Sequence, residues 1–131
     1  MVKYGYTIVY VNDVAKELEF FSSVFGLKPK MVNQEVSYAE LDTGSTTLSF
    51  VKHSVVEAHL TTNYVKIEPN CKPLGIELAF ISDNVEEDYL KAIEHGAKVI
   101  RAPSETQWGQ VISYIQTPQG VLIDICSKIE E

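Results

Sequence analysis

The sequence predicts an α+β domain made of two tandem βαβββ modules, forming a curved sheet around a cleft. Three observations carry this prediction. Apolar residues pass from period two to a helical period and back, in the order strand, helix, strand, strand, strand. That order occurs twice within 131 residues. The segment "VNDV" at 11–14 lies over "SDNV" at 82–85, an offset of 71, and "LDTGSTTLSF" lies over "IQTPQGVLIDI" with a one-residue shift. An internal repeat constrains a fold more than any single element does. Each module has one helix, which covers one face of its small sheet. The opposite faces must meet or enclose something, and a cleft is where small ligands bind.

In the first module, "YGYTIVYV" alternates and is rich in β-branched and aromatic residues, so it reads as a strand. Asn12 and Asp13 supply a helix cap. Val14, Leu18, Phe21 and Phe25 recur at helical spacing, and Gly26 ends the helix. A short strand around Lys30-Met31-Val32 precedes the strands "VSYAELDTG" and "STTLSFVK", with Gly44 at the turn between them.

In the second module, "IELAFIS" is a strand. Asn84 caps a helix, with Glu87 three residues on as a capping box. Val85, Tyr89, Ala92 and Ile93 form its buried stripe, and Gly96 stops it. "AKVIRAP" is a short strand, and "QVISYIQT" and "GVLIDIC" form a hairpin around "PQG". Between the modules, "HSVVEAHLTTNYVKIEPNCKPL" carries two prolines and no sustained period, so it reads as a linker long enough to be a functional loop. The expected boundaries are module one at about 1–52, linker at about 53–74 and module two at about 75–131 of one domain.

Composition excludes several function classes. The formal charge is −7 and the pI about 4.9, which repels phosphate backbones and anionic lipid and argues against nucleic-acid and membrane partners. The two cysteines, Cys71 and Cys126, do not make a disulfide scaffold and read as free thiols in a reducing cytoplasm. No apolar run approaches the length of a membrane span, and the strand-like pattern begins by Tyr4 with no signal peptide before it. No serine–histidine or cysteine–histidine arrangement suggests a nucleophile, and no glycine-rich loop suggests a phosphate cradle.

The duplicated module, with the stretches "YTIVYVNDVAKELEFFSSVFGL", "IELAFISDNVEEDYLKAIEHGAKV" and "WGQVISYIQTPQGVLIDIC", resembles the vicinal oxygen chelate superfamily, which holds glyoxalase I, extradiol dioxygenases and the bleomycin resistance proteins. The resemblance covers nearly the whole chain. It implies four cleft-facing positions that hold a divalent cation in the metal-dependent members, drawn from the first and last long strands of each module. Carried over, the first-strand positions are Tyr6, seven residues before Asp13, and Glu77, seven before Asn84. The last-strand positions are Ser49 and Asp124. The resemblance also implies a homodimer, the commonest symmetric state.

Transition metals want imidazole nitrogen and carboxylate oxygen. The set of two acids, a phenol and a hydroxyl lacks the first. His53 falls at a strand end, His59 in the linker and His95 at the C-terminal end of the second helix, where it meets the helix dipole. Glu77 and Asp124 remain weak candidates for magnesium or calcium. The preferred reading is therefore a metal-free small-molecule-binding protein taking a planar or cationic organic ligand. The alternative is a divalent-metal-dependent lyase, isomerase or dioxygenase.

Alternation assigns the other lining residues. With Tyr6 go Ile8 and Tyr10; with Ser49 go Thr47 and Val51; with Glu77 go Ala79 and Ile81; with Asp124 goes Leu122. Tyr38 and Glu40 face the same way. Two acids facing each other repel, which raises the pKa of one; such a pair suits a cationic ligand group, or shares a proton and hydrogen-bonds a polar one, or pairs each acid with a nearby tyrosine hydroxyl or arginine guanidinium. By the resemblance Trp108 lies in a loop at the cleft mouth, and its face suits planar or cationic ligands; Gln110 adds a hydrogen bond. The candidate site is thus Tyr6, Tyr10, Tyr38, Ser49, Glu77, Trp108, Gln110 and Asp124.

Overall fold

Residues 1–129 are described in a computed structural model. Two compact units divide them, Met1–Glu68 and Pro69–Glu131, and each is a four-stranded mixed sheet carrying the repeated helix. This is the tandem βαβββ arrangement read from the sequence.

In the first unit, β1 (Tyr6–Val11) leads into α1 (Val14–Phe25), followed by β2 (Pro29–Val32), β3 (Tyr38–Asp42) and β4 (Thr47–Lys52). The strand order is β1-β4-β3-β2, with β1 and β4 parallel and the other pairs antiparallel. The Asp13 carboxylate accepts the Lys16 N–H at 3.0 Å and so satisfies one free donor of the first turn. Gly26, at φ 68°, closes the helix in the left-handed conformation that glycine adopts without strain. Val9, Val11, Ala39, Leu41, Leu48 and Phe50 are buried on the helix side. The Phe21 and Phe50 rings meet edge-on at 4.8 Å, and burying each ring contributes roughly 2–3 kcal/mol.

The stretch read as a patternless linker holds a third helix, α2 (His53–Leu60). Its only buried residue is His53, and its cap Lys52 makes no side-chain cap bond, so neither periodicity nor capping announced it. It is tied down from outside. His53 Nε2 donates to the Ile67 carbonyl at 2.7 Å, so Nδ1 accepts from the Tyr64 hydroxyl at 2.7 Å. His53 is therefore a buried helix residue rather than the last residue of a strand.

In the second unit, β5 (Leu78–Ile81), α3 (Val85–Glu94), β6 (Lys98–Glu105), β7 (Val111–Gln116) and β8 (Leu122–Cys126) repeat the pattern in the order β5-β8-β7-β6. α3 starts 71 residues after α1, as the repeat requires. Asn84 Oδ1 accepts the Glu87 N–H at 3.1 Å. The capping box is only half made, because Asn84 N–H bonds Ser82 Oγ at 3.0 Å while Glu87 meets the Asn84 amide instead. His95 Nδ1 lies 2.8 Å from the Lys91 carbonyl at the C-terminal end of α3. β5 is shorter than expected and begins one residue after Glu77. Among the described residues no helix is long and apolar enough to cross a membrane.

Candidate functional site

Strand register shows that the two units present equivalent rows. In the first, Ile8, Ser49, Glu40 and Met31 lie side by side across β1, β4, β3 and β2. In the second, Ala79, Asp124, Tyr114 and Arg101 lie side by side across β5, β8, β7 and β6. Both rows occupy the face opposite the helix. Ser49 and Asp124 thus hold equivalent places, and Tyr6 and Glu77 each lie two residues before the first member of their row.

The ends of both rows are set by a bulge. Pro29 pairs with Leu41 but Met31 with Glu40, and Val99 pairs with Ile115 but Arg101 with Tyr114. Each interval places one extra residue in the edge strand. Without it, Arg101 would share the side of Val99 and the buried Ile115. With it, Arg101 stands on the side of Tyr114 and Asp124. The sequence reading overlooked Arg101 and Tyr114. Pro103, which cannot donate in a ladder, was the available sign of irregular pairing in β6.

Asp124 is 8% exposed, and among the described residues its buried Oδ1 has no hydrogen-bond partner. Burial, then the neighbouring Glu77 carboxyl, push its pKa up to about 6. The Tyr114 phenol is raised by burial and by the Glu77 and Asp124 charges, against Arg101. Glu77, Asp124, Tyr114 and Arg101 therefore form one electrostatic group. The Cys126 thiol is raised by burial and by the same two acids, so it is held as an unreactive thiol.

The row of the first unit is self-satisfied. Tyr38 donates to Glu40 Oε2 at 2.7 Å and lies 3.1 Å from Ser49 Oγ. With its one proton given to the carboxylate, Tyr38 accepts from Ser49. Burial raises the Tyr38 phenol, against the Ser49 hydroxyl. Tyr6 is half exposed at 55%. Tyr10 packs edge-on against Tyr64 at 5.5 Å and His53 at 6.4 Å, joining the group that anchors α2. A polar surface depression also lies in this unit, lined by Glu57, Thr61, Thr62, Asn63, Tyr64 and Lys66. Glu57 and Lys66 pair there at 2.6 Å, and it includes none of the expected site residues.

Trp108 and Gln110 sit together in the β6–β7 turn. The exposed indole donates to Gln110 Oε1 at 2.9 Å, and Gln110 Nε2 donates to the Ser127 carbonyl at 2.9 Å. Gln110 thus braces the turn and holds the ring out.

The residues at the four metal positions do not fit a resident transition metal. None is a histidine, and the Ser49 hydroxyl is already given to Tyr38. Among the described residues no group of three or more histidine, cysteine or acidic side chains could hold a metal.

The comparisons with known proteins agree with the repeat. Residues 3–125 match the Glyoxalase/Bleomycin resistance protein/Dioxygenase superfamily. The YraH protein of Bacillus subtilis (strain 168) is 24% identical over 116 residues, covering 88% of this chain and 90% of its own. A glyoxalase-related enzyme from Fulvimarina pelagi has a TM-score of 0.83 at 14% identity, covering 98% of this chain and 89% of that one. A glyoxalase/bleomycin resistance protein/dioxygenase family enzyme from Burkholderia phytofirmans PsJN has a TM-score of 0.74 at 22% identity, covering 94% and 96%. At such identities the structural likeness speaks for the fold, whereas the family match spans nearly the whole chain. Together with the duplicated module, it places the chain in the Glyoxalase/Bleomycin resistance protein/Dioxygenase superfamily.

Proposed function

We propose that this chain is a metal-free small-molecule-binding protein that takes a planar, cationic organic ligand on the helix-free face of its second module. The fold alone does not select this, since one fold hosts many activities. The observation that carries it is the buried Asp124 carboxyl, with one oxygen unpartnered among the described residues, beside Glu77. A buried acceptor left unmade costs about 1–3 kcal/mol. A ligand ammonium or amidinium would recover that cost and relieve the repulsion between the two acids. Tyr114 offers a ring beside the carboxyl, and cations favour aromatic faces.

Titration with planar cations such as benzylamine and benzamidine, followed by Trp108 fluorescence and calorimetry, tests the reading. Binding at micromolar to sub-millimolar concentration, weakened in Glu77→Gln, is expected. Absence of binding below the millimolar range for a broad panel removes its support. Elemental analysis of protein purified without chelator, with metal add-back, separates it from a metal-dependent lyase, isomerase or dioxygenase. A stoichiometric ion would overturn the metal-free reading.

A further inference from the structure

We infer that the second module's row is a two-ended subsite for a zwitterionic aryl ligand, whose cation meets Glu77 and Asp124 and whose carboxylate meets Arg101. The inference rests on the proposed binding face and adds the class of ligand. Its first support is the bulge between Val99 and Arg101, which turns the guanidinium away from the side of Val99 and Ile115 and onto the row of Asp124. Bulges re-aim side chains in this way beside active sites.

The second support is the repeat itself. The same bulge occurs in the first module, where the equivalent residue is Met31. Arginine is therefore not what the bulge requires, because methionine occupies it equally well. Arg101 is also the single arginine in the sequence. Among the described residues the ion pair present is Lys66–Glu57, so the Arg101 guanidinium is not spent on a carboxylate. Its planar fork suits a ligand carboxylate.

The third support is spacing. Asp124 and Arg101 lie on β8 and β6, with Tyr114 on β7 between them. Two inter-strand steps separate their backbones by roughly 10 Å. An α-amino acid, with both charged groups on one carbon, cannot span that separation. A para-substituted benzene ring bearing ammonium and carboxylate at opposite ends can, with its ring over Tyr114.

The test compares 4-(aminomethyl)benzoate with benzylamine and 4-methylbenzoate by calorimetry. The wild-type protein is expected to bind the zwitterion tighter than either single-charge probe. Arg101→Met, which copies the first module, is expected to weaken the zwitterion about tenfold or more and, because it removes a like charge from the same group, to leave benzylamine no weaker. Arg101→Lys should restore part of the loss, and Glu77→Gln should weaken the zwitterion and benzylamine alike. If benzylamine binds but the zwitterion binds no tighter, or Arg101→Met moves both equally, the two-ended subsite is wrong and cation binding stands. If neither probe binds, both readings fall. Arg101 is exposed, so the variant should fold, and a thermal melt by circular dichroism checks that.

Discussion

Asp124 holds its proton to about pH 6 because burial penalises the ionised form, a hydrogen bond with the Glu77 carboxyl favours the protonated one, and the Glu77 charge adds repulsion. In the unfolded chain an aspartate titrates near 3.8. Between these values the folded state binds more protons than the unfolded state, so stability falls as pH rises from about 4 to about 6 and then levels off. Asp124→Asn removes the ionisation. It should stabilise the protein above pH 6, by on the order of 1 kcal/mol, and have little effect below pH 4. Urea melts at a series of pH values measure this, and a gain equal at all pH values would contradict the assignment. His53 gives a second residue-scale prediction. Tyr64→Phe removes the donor to Nδ1 and should cost about 1 kcal/mol, with exchange protection lost first in α2.

At the scale of elements, the repeated helices stand on local signals. The Asp13 carboxylate bonds the Lys16 N–H, so Asp13→Ala should cost about 1 kcal/mol. A Cβ at Gly26 would meet nothing within 4 Å, yet the residue sits at φ 68°. Gly26→Ala should therefore cost about 1 kcal/mol from backbone strain alone. Both should lower the urea midpoint without changing the slope. These helices were legible because cap, period and stop lie within about a dozen adjacent residues. α2 was not, because one buried histidine and two hydrogen bonds to residues 64 and 67 hold it. Residues that touch only after folding leave no period in the sequence.

For the whole molecule, a formal charge of −7 draws cations toward the protein from a distance. Raising ionic strength from about 0.01 to about 0.5 M should slow association of benzylamine severalfold and leave a neutral aryl probe unchanged. Stopped-flow fluorescence resolves the two, and an equal response would place the attraction elsewhere. The duplication is also a property of this scale. Each module is an internal control for the other, and the rows differ where their chemistry differs. The first spends its carboxylate on Tyr38, whereas the second leaves a buried acid oxygen unpartnered among the described residues.

By itself the sequence determined the two modules, their helices, their caps and the family, because period, capping and repetition are local or linear properties of a chain. The resemblance carried over Ser49 and Asp124 as corresponding last-strand positions, and the strand registers set them in equivalent rows. Only tertiary structure decided that Asp124 is buried beside Glu77, that Ser49 is committed to Tyr38, and that a bulge turns Arg101 onto the row of Asp124. Those facts depend on which strands pair and in what register. One extra residue in an edge strand reverses the face of the side chains that follow until the next irregularity, and no count along the sequence shows where that residue falls.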